Sequence, residues 1–133
     1  MKKLASRFGI LIFTLIFMIS SLTATASAVE PRFIGISELS VSLIVYPSGG
    51  ASCYGYVDPY DTYSADMTLE LQRDSTTIKT WTGSGSTGES FSLDKVHYVT
   101  SGHEYQVIVT VDVKNSRGSI VAKYSQDSVI EEF

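Results

Sequence analysis

The sequence predicts an all-β chain, a single antiparallel sandwich of seven short strands. Three observations carry that prediction. Apolar and polar residues alternate with a period of two in several windows after Pro31, as they do along half-buried strands. Clusters of Gly, Pro, Ser, Asn and Asp divide these windows about every ten residues. No window after Pro31 sustains the spacing of an amphipathic helix.

The chain opens on a segment of a different kind. Lys2, Lys3 and Arg7 precede the 12-residue apolar run FGILIFTLIFMI, Phe8 to Ile19, and Ala26-Ser27-Ala28 follows. Positive start, apolar centre and an A-x-A end describe a secretory signal peptide cleaved after Ala28. A bilayer span needs roughly 20 apolar residues, so no stable membrane anchor is expected after cleavage. The expected organisation is residues 1–28 as signal peptide, 29–35 as a flexible N-terminal segment and 36–130 as the sandwich. The product is expected to be soluble and secreted.

Cleavage would leave 105 of the 133 residues, enough for one domain. The leader holds three of the 10 basic residues and none of the 14 acidic ones, so the mature net charge is −7. An acidic domain is repelled by phosphate backbones, which makes nucleic acid a poor partner. Cys53 is the single cysteine, so no internal disulfide is expected and the core must hold the fold unaided.

The strands are read in order. Leu39 to Tyr46 alternates and stops at Pro47-Ser48-Gly49-Gly50; Ala51 to Val57 follows and ends at Asp58-Pro59. Ala65 to Arg73 and Thr77 to Thr82 flank an Asp74-Ser75 turn. The run Gly83 to Gly88 has no Lys-Ser/Thr after it and opens no helix, so it is expected as a flexible connection rather than a phosphate loop. Gly88 to Asp94 is the fifth strand. GHEYQVIVTVDVK is the sixth, with Tyr105, Val107, Val109, Val111 and Val113 on one face. Ser119 to Val129, after Asn115 to Gly118, is the seventh.

VTSGHEYQV sharpens the fold. Gly102-x-x-Tyr105 before alternating valines resembles the tyrosine corner of immunoglobulin-like and fibronectin type III domains, where the hydroxyl bonds back to the corner. The resemblance implies an immunoglobulin-like sandwich. The wider order, small-Cys-x-Gly-x-Val, then LQ, a lone Trp and G-x-x-Tyr, resembles small uncharacterised secreted proteins of Gram-positive bacteria. That likeness supports fold and export and implies no activity. In antibody-type domains a disulfide cysteine stands two residues after the corner tyrosine; here that residue is Val107. Cys53 then fills a half-site without its partner, read as a small buried hydrophobe, with a reactive thiol and pairing between molecules as the other readings.

Parity also locates the candidate site. With Ala51, Cys53, Gly55 and Val57 inward, Tyr54 and Tyr56 face out. Leu39, Val41, Leu43 and Val45 inward likewise put Ile44 and Tyr46 outside. With Tyr60 and Tyr63 of the next loop, these rings would make an aromatic patch suited to an extracellular glycan or protein. The other reading is that tyrosine simply forms strands well.

Asp58, Asp61 and Asp66 offer calcium-type oxygen donors but lack ordered ligand spacing, and a solvated acidic loop is the expected reading. His97 and His103 have no further ligand at zinc spacing. No metal and no cofactor is expected. Catalytic motifs are missing too: there is no nucleophile elbow, no H-E-x-x-H and no serine–lysine pair. No lysine lies between Val29 and Val57 to supply an isopeptide bond. The expectation is a secreted non-enzymatic binding module, with a structural or self-assembling subunit as the alternative. Ile78 and Trp81, three apart, cannot both face inward unless a bulge intervenes.

Overall fold

Alternation becomes structure over the whole length that the computed structural model describes, Phe33–Phe133. The expected signal peptide and most of the segment 29–35 lie outside the described residues. Seven main strands form: β1 (Ile36–Val45), β2 (Gly50–Pro59), β3 (Ser64–Arg73), β4 (Thr76–Ser84), β5 (Phe91–Tyr98), β6 (Glu104–Lys114) and β7 (Ile120–Asp127). A two-residue strand, β8 (Glu131–Glu132), follows. No helix occurs among the described residues.

All pairings are antiparallel. One sheet has the order β1-β2-β5, the other β4-β3-β6-β7, with β8 also on β6. The two sheets pack through their inward residues as an antiparallel β-sandwich. Ile36, Leu39 and Leu43 of β1 meet Met67, Leu69, Leu71 and the buried valines of β6 in one core, which includes Ala51, Cys53 and Val57. Gly55 faces Met67, Leu69 and Val109 of the other sheet. A Cβ there would stand 2.9 Å from Met67 Sδ, 3.2 Å from Leu69 and 3.3 Å from Val109. A side chain there would have to displace these core neighbours.

The fourth strand joins β3 rather than the three-stranded sheet because the β3–β4 turn is tight. Asp74 and Ser75 have φ of 48° and 69°, the double positive geometry of a two-residue hairpin matched to strand twist. Neither residue is glycine, so the conformation needs outside support. Asp74 supplies it: its N–H donates to the Glu104 carbonyl at 2.9 Å and its carboxylate accepts the Glu104 N–H at 3.0 Å.

The corner tyrosine has the expected geometry. Buried Tyr105 donates its hydroxyl to the Thr100 carbonyl at 2.6 Å and accepts the Thr100 N–H at 3.1 Å. Ile78 and Trp81 are reconciled by a bulge. Leu71 faces Lys79 and Gln72 faces Thr77, leaving Ile78 as the extra residue, and both side chains pack on the core.

Two expectations are corrected. The fifth strand runs from Phe91 to Tyr98, not Gly88 to Asp94. Its apolar phase inverts midway: Phe91 and Leu93 pack on the core, while Val96 and Tyr98 take the outward positions. Alternation therefore breaks after Asp94 although the backbone stays extended. The Gly83–Gly88 run is also not merely a connection. Gly83 and Ser84 complete β4, the Gly85 N–H donates to Ala65 at 3.2 Å, and Gly85 closes against Phe91. A Cβ on Gly85 would lie 2.6 Å from that ring.

The last edge strand is broken. β7 ends at Asp127 opposite Ile108, and β8 resumes with Glu131 opposite Tyr105. Three residues thus oppose two, which makes a bulge at Ser128–Ile130. Buried Ser128 keeps the ladder closed: its N–H donates to Val107 at 2.8 Å and its hydroxyl accepts the Val107 N–H at 2.8 Å.

Candidate functional site on the outer face of the three-stranded sheet

The outward residues of β1, β2 and β5 form rows across the sheet. Ser40, Tyr56 and Ser92 make one row; Ser42, Tyr54 and Asp94 the next. Ile44, Ser52 and Val96 make a third. Tyr98 stands opposite Gly50, whose carbonyl accepts the Tyr46 N–H at 2.8 Å from the other side. Tyr54 and Tyr56 are half-buried on the central strand, each between small polar neighbours. At the end of the face the apolar residues stand clear: Tyr98 is 79% exposed, Val96 63%, Ile44 51% and Tyr46 49%.

Of the five tyrosines singled out by sequence, three share this face. Tyr46, Tyr54 and Tyr56 are brought together by the β1–β2 register. Tyr60 is exposed beyond the opposite end of β2, roughly 30 Å of strand away from Tyr46. Tyr63 is half-buried, with its ring on Gly35 and the core. Val96 and Tyr98 belong to the patch but were missed by the sequence reading, which ended the strand at Asp94. Their signal was an aromatic and a β-branched residue two apart, in a stretch whose inward phase had been lost.

The charged groups of this face are of one sign. The ionisable residues at its outward positions are Glu38, Asp58 and Asp94. Ser37 donates to the Asp58 carboxylate at 2.9 Å and Ser40 to that of Glu38 at 3.1 Å. The outer face of the other sheet differs. It carries the ion pairs Lys114–Asp66 at 2.5 Å and Lys123–Asp112 at 3.4 Å, and a row of hydroxyls from Thr82, Thr68, Thr110 and Ser125. The hydrogen bond from Lys114 holds the Asp66 carboxyl below its ordinary range, with a smaller contribution from Ser84, against a partial offset from burial.

The three candidate calcium ligands are therefore scattered. Asp58 lies on the outer face of β2, Asp66 on the outer face of β3, and Asp61 in the exposed loop between them. Among the described residues no group of three or more His, Cys, Asp or Glu side chains is placed to hold a metal ion.

The histidines also separate. His97 is half-buried on β5, edge-on to Trp81 with ring centroids 6.4 Å apart. His103 sits at the corner with its Nδ1 2.5 Å from Asp74 Oδ2. That pair borders an open hollow of about 530 Å³ lined by Asp74, Gly102, His103, Glu104, Glu132 and Phe133. The Glu104 N–H and His103 together hold the Asp74 carboxyl below its usual range. Their contacts all serve to pin the β3–β4 turn to the start of β6, which accounts for the pair structurally. Cys53 is sealed in the core, and burial pushes its thiol up to about 11, so it is protonated at neutral pH.

Neither a protein-family model nor a curated protein matches the chain.

Proposed function

We propose that the chain is a secreted, non-enzymatic binding module that engages an extracellular glycan or protein through the outer face of β1-β2-β5. The observation that carries this reading is the convergence of Tyr46, Tyr54, Tyr56 and Tyr98 with Ile44 and Val96 on one side of one sheet. Aromatic and apolar side chains gathered on one exposed face usually mark a site of interaction. Export rests on the leader, and the likeness to immunoglobulin-like and fibronectin type III domains rests on the corner at Tyr105 and the strand order. The likeness to small secreted proteins of Gram-positive bacteria agrees with export. The acidic face speaks against nucleic acid as partner.

The alternative, a self-assembling subunit, is disfavoured by the edges. Pairing registers shift in β1 near Ile36, in β4 at Ile78 and in β7 at Val121, and such irregularities discourage edge-to-edge pairing. β5 is the regular edge, and its centre is charged. In a two-fold antiparallel pair, facing residues share one side of the sheet. The central registers of β5 against itself therefore set Asp94 opposite Asp94 or Lys95 opposite Lys95.

The test is retention on cell-wall material, glycan-coated resin and immobilised protein, comparing the secreted protein with a Tyr54→Ala/Tyr56→Ala variant. Retention of the former alone is expected; equal retention of both would remove this face from consideration.

A further inference from the structure

We infer that this face takes an uncharged glycan chain, an inference that rests on reading the face as the binding surface. Area is the first argument. Three strands about 4.8 Å apart and about nine residues long present roughly 400 Å². A stable protein–protein contact buries about 800 Å² of accessible surface per partner, and a face only three strands wide suits a linear chain better than a globular protein. A linear oligosaccharide fits within it.

Charge is the second. Glu38, Asp58 and Asp94 at outward positions repel uronic acids, sulfated sugars and phosphate-bearing polymers. They are good hydrogen-bond acceptors for sugar hydroxyls.

Composition is the third. A protein hot spot wants a dry apolar centre ringed by polar groups. Here the centre is mixed: Tyr54 lies between Ser42 and Asp94, and Tyr56 between Ser40 and Ser92. A sugar ring has an apolar C–H face and a hydroxyl rim, so a tyrosine ring beside serine hydroxyls and a carboxylate meets both. The two central rings are spaced roughly 6.6 Å along β2, and the Tyr46 and Tyr98 positions roughly 10 Å apart across the sheet. The platform is already formed, because β2 is hydrogen-bonded on both sides, so binding orders little backbone. Asp94, Val96 and Tyr98 thereby join the site.

The experiment is sedimentation with insoluble cellulose, chitin and β-1,3-glucan, and affinity electrophoresis in soluble polygalacturonate and heparin. Retention by at least one uncharged polymer is expected, with no retardation by the anionic ones. It should persist at about 1 M salt, where charge attraction is screened to about 3 Å. Tyr54→Ala should weaken it about tenfold or more, the equivalent of roughly 1.4 kcal/mol. Tyr98→Ala, at an exposed strand end where folding is not at stake, should weaken it measurably as well. Retention lost in salt, preference for the anionic polymers, or no effect of either substitution would overturn the inference. So would no uptake by any uncharged polymer. If the Tyr54→Ala/Tyr56→Ala variant nevertheless loses retention on immobilised protein, the binding face survives and only the glycan is excluded.

Discussion

Tyr105 shows how much one hydroxyl can hold. It donates to the Thr100 carbonyl and accepts the Thr100 N–H, so it closes both backbone groups of a residue at the turn into β6. Tyr105→Phe would leave both without that partner while keeping the ring in the core. The expected loss is about 1–3 kcal/mol, read as a lower urea midpoint at unchanged slope. The residue announces itself in sequence, because a tyrosine after Gly102 and before alternating valines has few other uses. Ser128 does comparable work and gives no such signal. It replaces a strand residue by bonding Val107 from both its backbone and its side chain, and a serine near a strand end is commonplace. The outward rings of Tyr54 and Tyr56 followed from parity alone. Tyr98 did not, since parity requires knowing that the strand continues.

At the scale of elements, the β3–β4 hairpin depends on a charge. The Asp74 carboxylate holds two non-glycine residues in a left-handed turn through its bonds to Glu104 and His103. Because its folded value is lowered, the stabilisation is fully present above the unfolded carboxylate value of about 3.9. It is lost as pH falls below that value and through the folded one. Asp74→Asn keeps a side chain tolerated at positive φ but removes the titration. Its melting temperature should therefore fall less steeply than wild type between about pH 4 and pH 2. An equal slope would assign acid sensitivity elsewhere, with Asp66 the next group to replace. Strands whose apolar phase stays constant, such as β2, β3 and β6, were legible in outline. β5 was displaced because its phase inverts after Asp94, where its apolar residues pass from the core to the outward face. The same inversion that hid its end builds the patch.

The whole molecule has two unlike outer faces on one core: one ion-paired and hydroxyl-rich, the other aromatic with carboxylates alone. It is expected to remain monomeric in spite of the second. The charges at the centre of β5 are the local guard, so Asp94→Asn/Lys95→Gln should associate with rising concentration in sedimentation velocity where wild type does not. Association of both proteins alike would mean that the face, not the edge, is self-adhesive. The domain has no cross-link, and its single thiol is protonated and closed off inside the sandwich. In an oxidising medium that thiol is safe only while the sheets stay together. Each opening offers it to oxidants and to other chains, and a captured sulfur cannot return to its place. In such a medium the lifetime of the intact fold is governed by how seldom the sandwich opens, a rate rather than an equilibrium.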